Sequence, residues 1–88
     1  MSILIIDDFQ EERDLLFTIL NSAGFGPLLP VGTAREGLHL LGVGKRGKQT
    51  SGIDLVLMDI EMPEIDGLEA CQRIRMEDQL QNLPIIVI

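Results

Sequence analysis

Two acids close the first apolar run of the chain, and a third acid closes another. Asp7 and Asp8 follow Ile3-Leu4-Ile5-Ile6, and Asp59 follows Asp54-Leu55-Val56-Leu57-Met58. Carboxylates gathered in one place repel and raise one another's pKa, so such a cluster is unfavourable alone. A divalent cation relieves the repulsion. Mg²⁺ suits the set best, because it takes one or two carboxylates together with waters and phosphate oxygens. A donor set made only of oxygen argues against zinc and copper. A cation held there would also screen a carboxylate from an approaching phosphate, so that the carboxylate can attack phosphorus and form an acyl phosphate.

Whether these acids meet depends on the elements that carry them. Ile3 to Ile6 is apolar at every position and reads as a strand buried on both faces. Leu15, Leu16, Ile19, Leu20 and Ala23 then share one helical face, closed by Gly24 as the C′ residue. Leu28 to Val31 is a weak strand. Pro30 places it at a sheet edge, since proline donates nothing to a ladder. Ala34, Leu38 and Leu41 form a second helical stripe, ended by Gly42. Asp54 to Met58 is a buried strand that runs into Asp59. Leu68, Cys71 and Ile74 mark the inner stripe of a third helix, and Ile85 to Ile88 is a last apolar strand. Asp8–Glu11, Thr33–Glu36 and Asp66–Glu69 each have capping-box spacing at a helix start. Residues 42–52 hold four glycines and three basic residues and read as a flexible surface loop.

Strands alternating with helices imply an α/β fold, with a parallel sheet, right-handed crossovers and helices on both faces. Sites in such sheets form outside the carboxyl ends of the strands, at the topological switch point. With the proline-bearing strand outside the first, the first and third strands are neighbours. Asp7, Asp8 and Asp59 then share one mouth.

Composition narrows the choice of function. The chain has 88 residues, enough for one small domain, and a net charge of −7. That charge opposes direct contact with nucleic acid or an anionic membrane. One cysteine excludes an intrachain disulfide and a cysteine-rich zinc site, and the lack of Trp and Tyr removes any platform for stacking bases or sugars. No apolar run approaches the roughly 20 residues of a membrane span. Asp7 and Asp8 interrupt what would be the apolar stretch of a signal peptide, so the cytoplasm is the expected location.

The sequence resembles the receiver domain of two-component response regulators, the chemotaxis-type, flavodoxin-like fold. The matching pieces are ILIIDD at 3–8, LVLMDIEMPEIDG at 55–67 and LPIIVI at 83–88. The acid pair together with D-x-x-M-P-x-x-D-G is a specific signature. The resemblance implies strand order 2-1-3-4 over residues 1–88. It also implies that a fourth helix, a fifth strand and a fifth helix would follow, with the family's switch Ser or Thr and its phosphate-contacting Lys beyond Ile88. Asp59 matches the phosphorylated aspartate. Asp8 matches the direct Mg²⁺ ligand, Asp7 its partner acting through water, and the main-chain carbonyl of Glu61 a further ligand. Met62-Pro63 and Asp66-Gly67 match the loop that shapes the site, and the Glu61 side chain stands where the family tunes phosphate lifetime. The implied partners are a sensor histidine kinase or histidine phosphotransfer protein and an output domain or protein. Without the following elements, the strand at Ile85 to Ile88 would be an open apolar edge prone to self-association.

On this reading the protein modifies itself and is not an enzyme. Two rivals differ in class. One is a phosphorylation-independent interaction module, which the three intact acids oppose. The other is an aspartyl-nucleophile phosphohydrolase, whose D-x-D motif is imperfectly met by Asp59-Ile60-Glu61. Elsewhere, Asp66 reads as a helix cap and His39 as a surface or packing residue. Cys71 reads as a small core residue, although Arg75 lies four positions on, and Lys45-Arg46-Lys48 as a solvated loop.

Overall fold

A computed structural model describes residues 1–44 and 52–88 of the chain. The order is β1 (Ile3–Ile6), α1 (Gln10–Ser22), β2 (Leu28–Val31), α2 (Ala34–Leu41), β3 (Leu55–Met58), α3 (Gly67–Arg75), a 3₁₀ turn (Asp78–Leu80) and β4 (Ile85–Val87). The strands form one parallel sheet in the order β2-β1-β3-β4, the order that the resemblance implied. Pro30 lies on β2, an edge strand of that sheet, where its missing N–H leaves no gap in an interior ladder. The Lys45-Arg46-Lys48 cluster and most of the glycine-rich link lie outside the described residues.

Alternation along the strands divides the sheet into two faces. Leu4, Ile6, Val56 and Met58 join Ala34, Leu38 and Leu41 of α2 and Ala70 and Ile74 of α3 in the main core. Leu80, from the 3₁₀ turn, and Leu83 close its lower end. Ile3 and Ile5, also buried, face the other way, toward α1, which packs on β1 and β2.

Three helix readings need correction. No residue of α1 is fully buried, and Leu15 and Ile19 are 58 % and 55 % exposed, so the α1 stripe is only partly used. Leu68 is 59 % exposed, and the inner face of α3 is instead Gly67, Ala70, Cys71 and Ile74. The N-cap of α1 is Phe9 and no side chain caps it, so Asp8 and Glu11 form no capping box. The other two boxes start as read: Thr33 Oγ1 accepts from the Glu36 N–H at 3.1 Å, and Asp66 Oδ1 from the Glu69 N–H at 2.8 Å. Gly24 and Gly42 take the left-handed conformation just past α1 and α2.

β4 is the opposite edge strand, with Ile86 and Val87 exposed. Beyond the strand, the Ile88 N–H donates to the Met58 carbonyl at 2.9 Å, and the Ile60 N–H donates to the Ile88 carbonyl at 3.1 Å.

Candidate functional site

The parallel register sets the carboxyl ends of β1 and β3 level, pairing Ile6 with Met58, so the acids that follow are neighbours. The Asp59 N–H donates to the Ile6 carbonyl at 2.9 Å, and the Asp7 N–H to the Val31 carbonyl at 3.2 Å. Asp7 and Asp59 are thus fixed by the sheet itself. Two further bonds hold Asp7 to the start of α1. Its Oδ1 accepts from the Phe9 N–H at 2.9 Å, and its carbonyl accepts from Arg13 Nη1 at 2.7 Å.

Asp7 is fully buried, and among the described residues its Oδ2 has no hydrogen-bond partner. A buried carboxylate oxygen without a donor is costly unless something else compensates it. Carboxylate oxygens of Asp7, Glu12 and Asp59 all lie within 4.8 Å of one another. The Asp7 charge foremost, then desolvation and the Asp59 charge, push the Glu12 carboxyl above the ordinary glutamate range. A protonated Glu12 can donate to Asp7, and the Asp8 charge adds to the same shift.

The sequence-predicted residues are therefore not all brought together in one way. Asp7 and Asp59 meet as expected. Asp8 is exposed beside them and contributes no oxygen to the three-carboxylate group. Glu61 is exposed, and its N–H donates to Asp59 Oδ1 at 3.3 Å. Glu12 is the residue that motif reading missed. The signal was present, since side chains tilt toward the N-terminus of their helix. An acid in the first turn after a strand-end acid pair leans back over the strand ends.

The loop after Asp59 is shaped by two special positions. Glu64 has a left-handed φ of 68°, and Ile65, next to it, is buried in the core. A Cβ on Gly67 would stand 2.7 Å from the Asp59 carbonyl, so only glycine lets α3 start this close to the acidic strand end. Away from the site, burial pushes the Cys71 thiol up and Arg75 only partly opposes it, which keeps the side chain a neutral packing group. His39 is exposed on α2.

The arrangement offers oxygen donors of a kind that suits a hard cation, and the unpartnered Asp7 oxygen fits such a group. Among the described residues no helix is long and apolar enough to cross a membrane.

Comparison with known proteins agrees with this fold. Residues 3–88 match the response regulator receiver domain family. The chain is 40 % identical over 85 residues to the CAI-1 autoinducer sensor kinase/phosphatase CqsS of Vibrio cholerae, covering 96 % of this chain and 11 % of that protein. It is 33 % identical over 88 residues to the Vibrio cholerae chemotaxis protein CheY-3, covering 100 % of this chain and 62 % of that protein. The N-terminal domain of a response regulator receiver protein from Methanoculleus marisnigri superposes with a TM-score of 0.82 at 28 % identity, covering 98 % of this chain and 63 % of the other. The chain thus spans less than two thirds of each of these relatives.

Proposed function

This chain belongs to the response regulator receiver domain family, and on that premise we propose that it is the phosphoacceptor module of a two-component system. The observation that carries the reading is the meeting of Asp59 with the fully buried Asp7, whose Oδ2 has no hydrogen-bond partner among the described residues. In the proposed step an Asp59 carboxylate oxygen attacks the phosphorus of a phosphohistidine on a sensor kinase or histidine phosphotransfer protein. The P–N bond breaks, the imidazole departs with its electron pair and takes up a proton, and an acyl phosphate is left on Asp59.

Asp8 and Asp59 would hold Mg²⁺ directly, Asp7 through water, and the Glu61 main-chain carbonyl would complete the protein ligands. Mg²⁺, when bound, supplies charge neutralisation for the carboxylates and for the transferring phosphoryl group. The chain's own residues do the positioning. The Glu61 N–H orients Asp59, and Arg13 and the Phe9 N–H fix Asp7. Gly67, with no Cβ, lets the first turn of α3 lie against the Asp59 carbonyl. The new charge then biases a two-state element read by an output domain or partner protein. The module acts on itself without turnover, and we place it in the cytoplasm.

The test is covalent labelling. With Mg²⁺ and acetyl phosphate or a phosphorylated kinase, intact mass should rise by one phosphoryl group, and Asp59→Asn should remove the gain. Equal labelling of the variant would defeat the assignment.

A further inference from the structure

The three-carboxylate group draws on two strand ends and one helix, and the helix contributes Glu12. Its position is not left to a free surface side chain alone. The neighbouring Arg13 ties the first turn of α1 to the Asp7 carbonyl at 2.7 Å, and its own N–H donates to the Phe9 carbonyl at 3.0 Å. Among the described residues, the ion pairs within 4.0 Å are Arg35–Glu64 and Arg73–Glu69, and neither includes Asp7, Glu12 or Asp59. The fully buried Asp7 carboxylate in this group keeps one oxygen without a hydrogen-bond partner among the described residues.

From this geometry we infer that Glu12 is a further cation-holding residue of the site, adding a carboxylate from α1 to those at the ends of β1 and β3. The inference rests on the phosphoacceptor reading for the identity of the site, and extends it to a residue outside the motif. Its consequence is quantitative. A carboxylate near a doubly charged ion deepens the well that holds the ion, even in a wet and screened mouth. Glu12 therefore raises the occupancy of the site at low cation concentration. Glu11, one position earlier and exposed, carries the same charge but lies outside the group, and so makes an internal control.

The measurement is a Mn²⁺ titration of the protein, with free Mn²⁺ read by electron paramagnetic resonance. Wild type is compared with Glu12→Gln, Glu12→Ala and Glu11→Gln, and circular dichroism melts check each fold. Both Glu12 variants should weaken Mn²⁺ binding about fivefold, while Glu11→Gln should change it less than about twofold. Equal, small changes at positions 11 and 12 would overturn the role of Glu12 while leaving the phosphoacceptor reading intact. Absence of saturable Mn²⁺ binding by wild type would overturn this inference together with the metal dependence proposed above.

Discussion

The two faces of the sheet are built differently. On one, α2 and α3 pack on each other and bury Leu4, Ile6, Val56 and Met58 beneath them. Both helices begin at side-chain caps. On the other, α1 lies over Ile3 and Ile5 without a fully buried residue of its own and without a side-chain cap, while Leu55 and Leu57 are only half-buried. Yet the weakly packed helix is the one that sends Glu12 to the acidic group. Stability is concentrated on one side of the molecule, and part of the site's charge is supplied from the other.

The largest test of that contrast is truncation of one apolar side chain on each face. Ile74→Ala on α3 should cost about 2–5 kcal/mol, because it opens a cavity among fully buried neighbours. Ile19→Ala on α1 should cost far less, about 0.5 kcal/mol, since more than half of the residue is already exposed. Urea unfolding of both variants checks this, and equal losses would show that α1 is as firmly packed as α3.

A smaller effect is expected at the helix starts. Thr33→Ala and Asp66→Ala each remove an acceptor from an otherwise unpaired N–H and should cost about 1 kcal/mol. Asp8→Ala should show no loss of this kind, because Asp8 caps nothing. A comparable loss at Asp8 would restore the cap that its spacing suggested.

The smallest effect lies in pH dependence without metal. A glutamate whose folded pKa is raised keeps, over a window of pH, a proton that the unfolded chain has lost. Its contribution to stability is therefore full below the ordinary glutamate value and is lost as pH rises through the raised one. In chelated buffer the urea midpoint should fall across that window, and Glu12→Gln should flatten the fall. Identical profiles for the two proteins would show that the Asp7 charge does not reach Glu12.

Much of the fold was legible in the sequence for local reasons. Apolar runs marked three of the strands, Pro30 marked the weaker Leu28–Val31 strand as an edge, and the Thr33 and Asp66 caps sat where their spacing put them. Asp7 and Asp59 could be brought together because strand order and register alone decide their meeting. What escaped depended on three dimensions. The rotation of α3 exposed Leu68 and turned Ala70 inward, which a three-residue stripe could not fix. A one-residue shift in the start of α1 moved its cap from Asp8 to Phe9. Glu12 belongs to no motif, and only the lean of a first-turn side chain over the strand ends reveals it.

The two hydrogen bonds made by Ile88 have a mechanical consequence. Its N–H holds the carbonyl of Met58 and its carbonyl holds the N–H of Ile60, the residues on either side of Asp59. The peptide units flanking the acid are thereby bracketed by one residue of the neighbouring segment. Any displacement of the Asp59 backbone that alters these bonds pulls directly on residue 88, with no side chain as intermediary. The amide proton of Ile88 is thus a built-in strain gauge for events at Asp59.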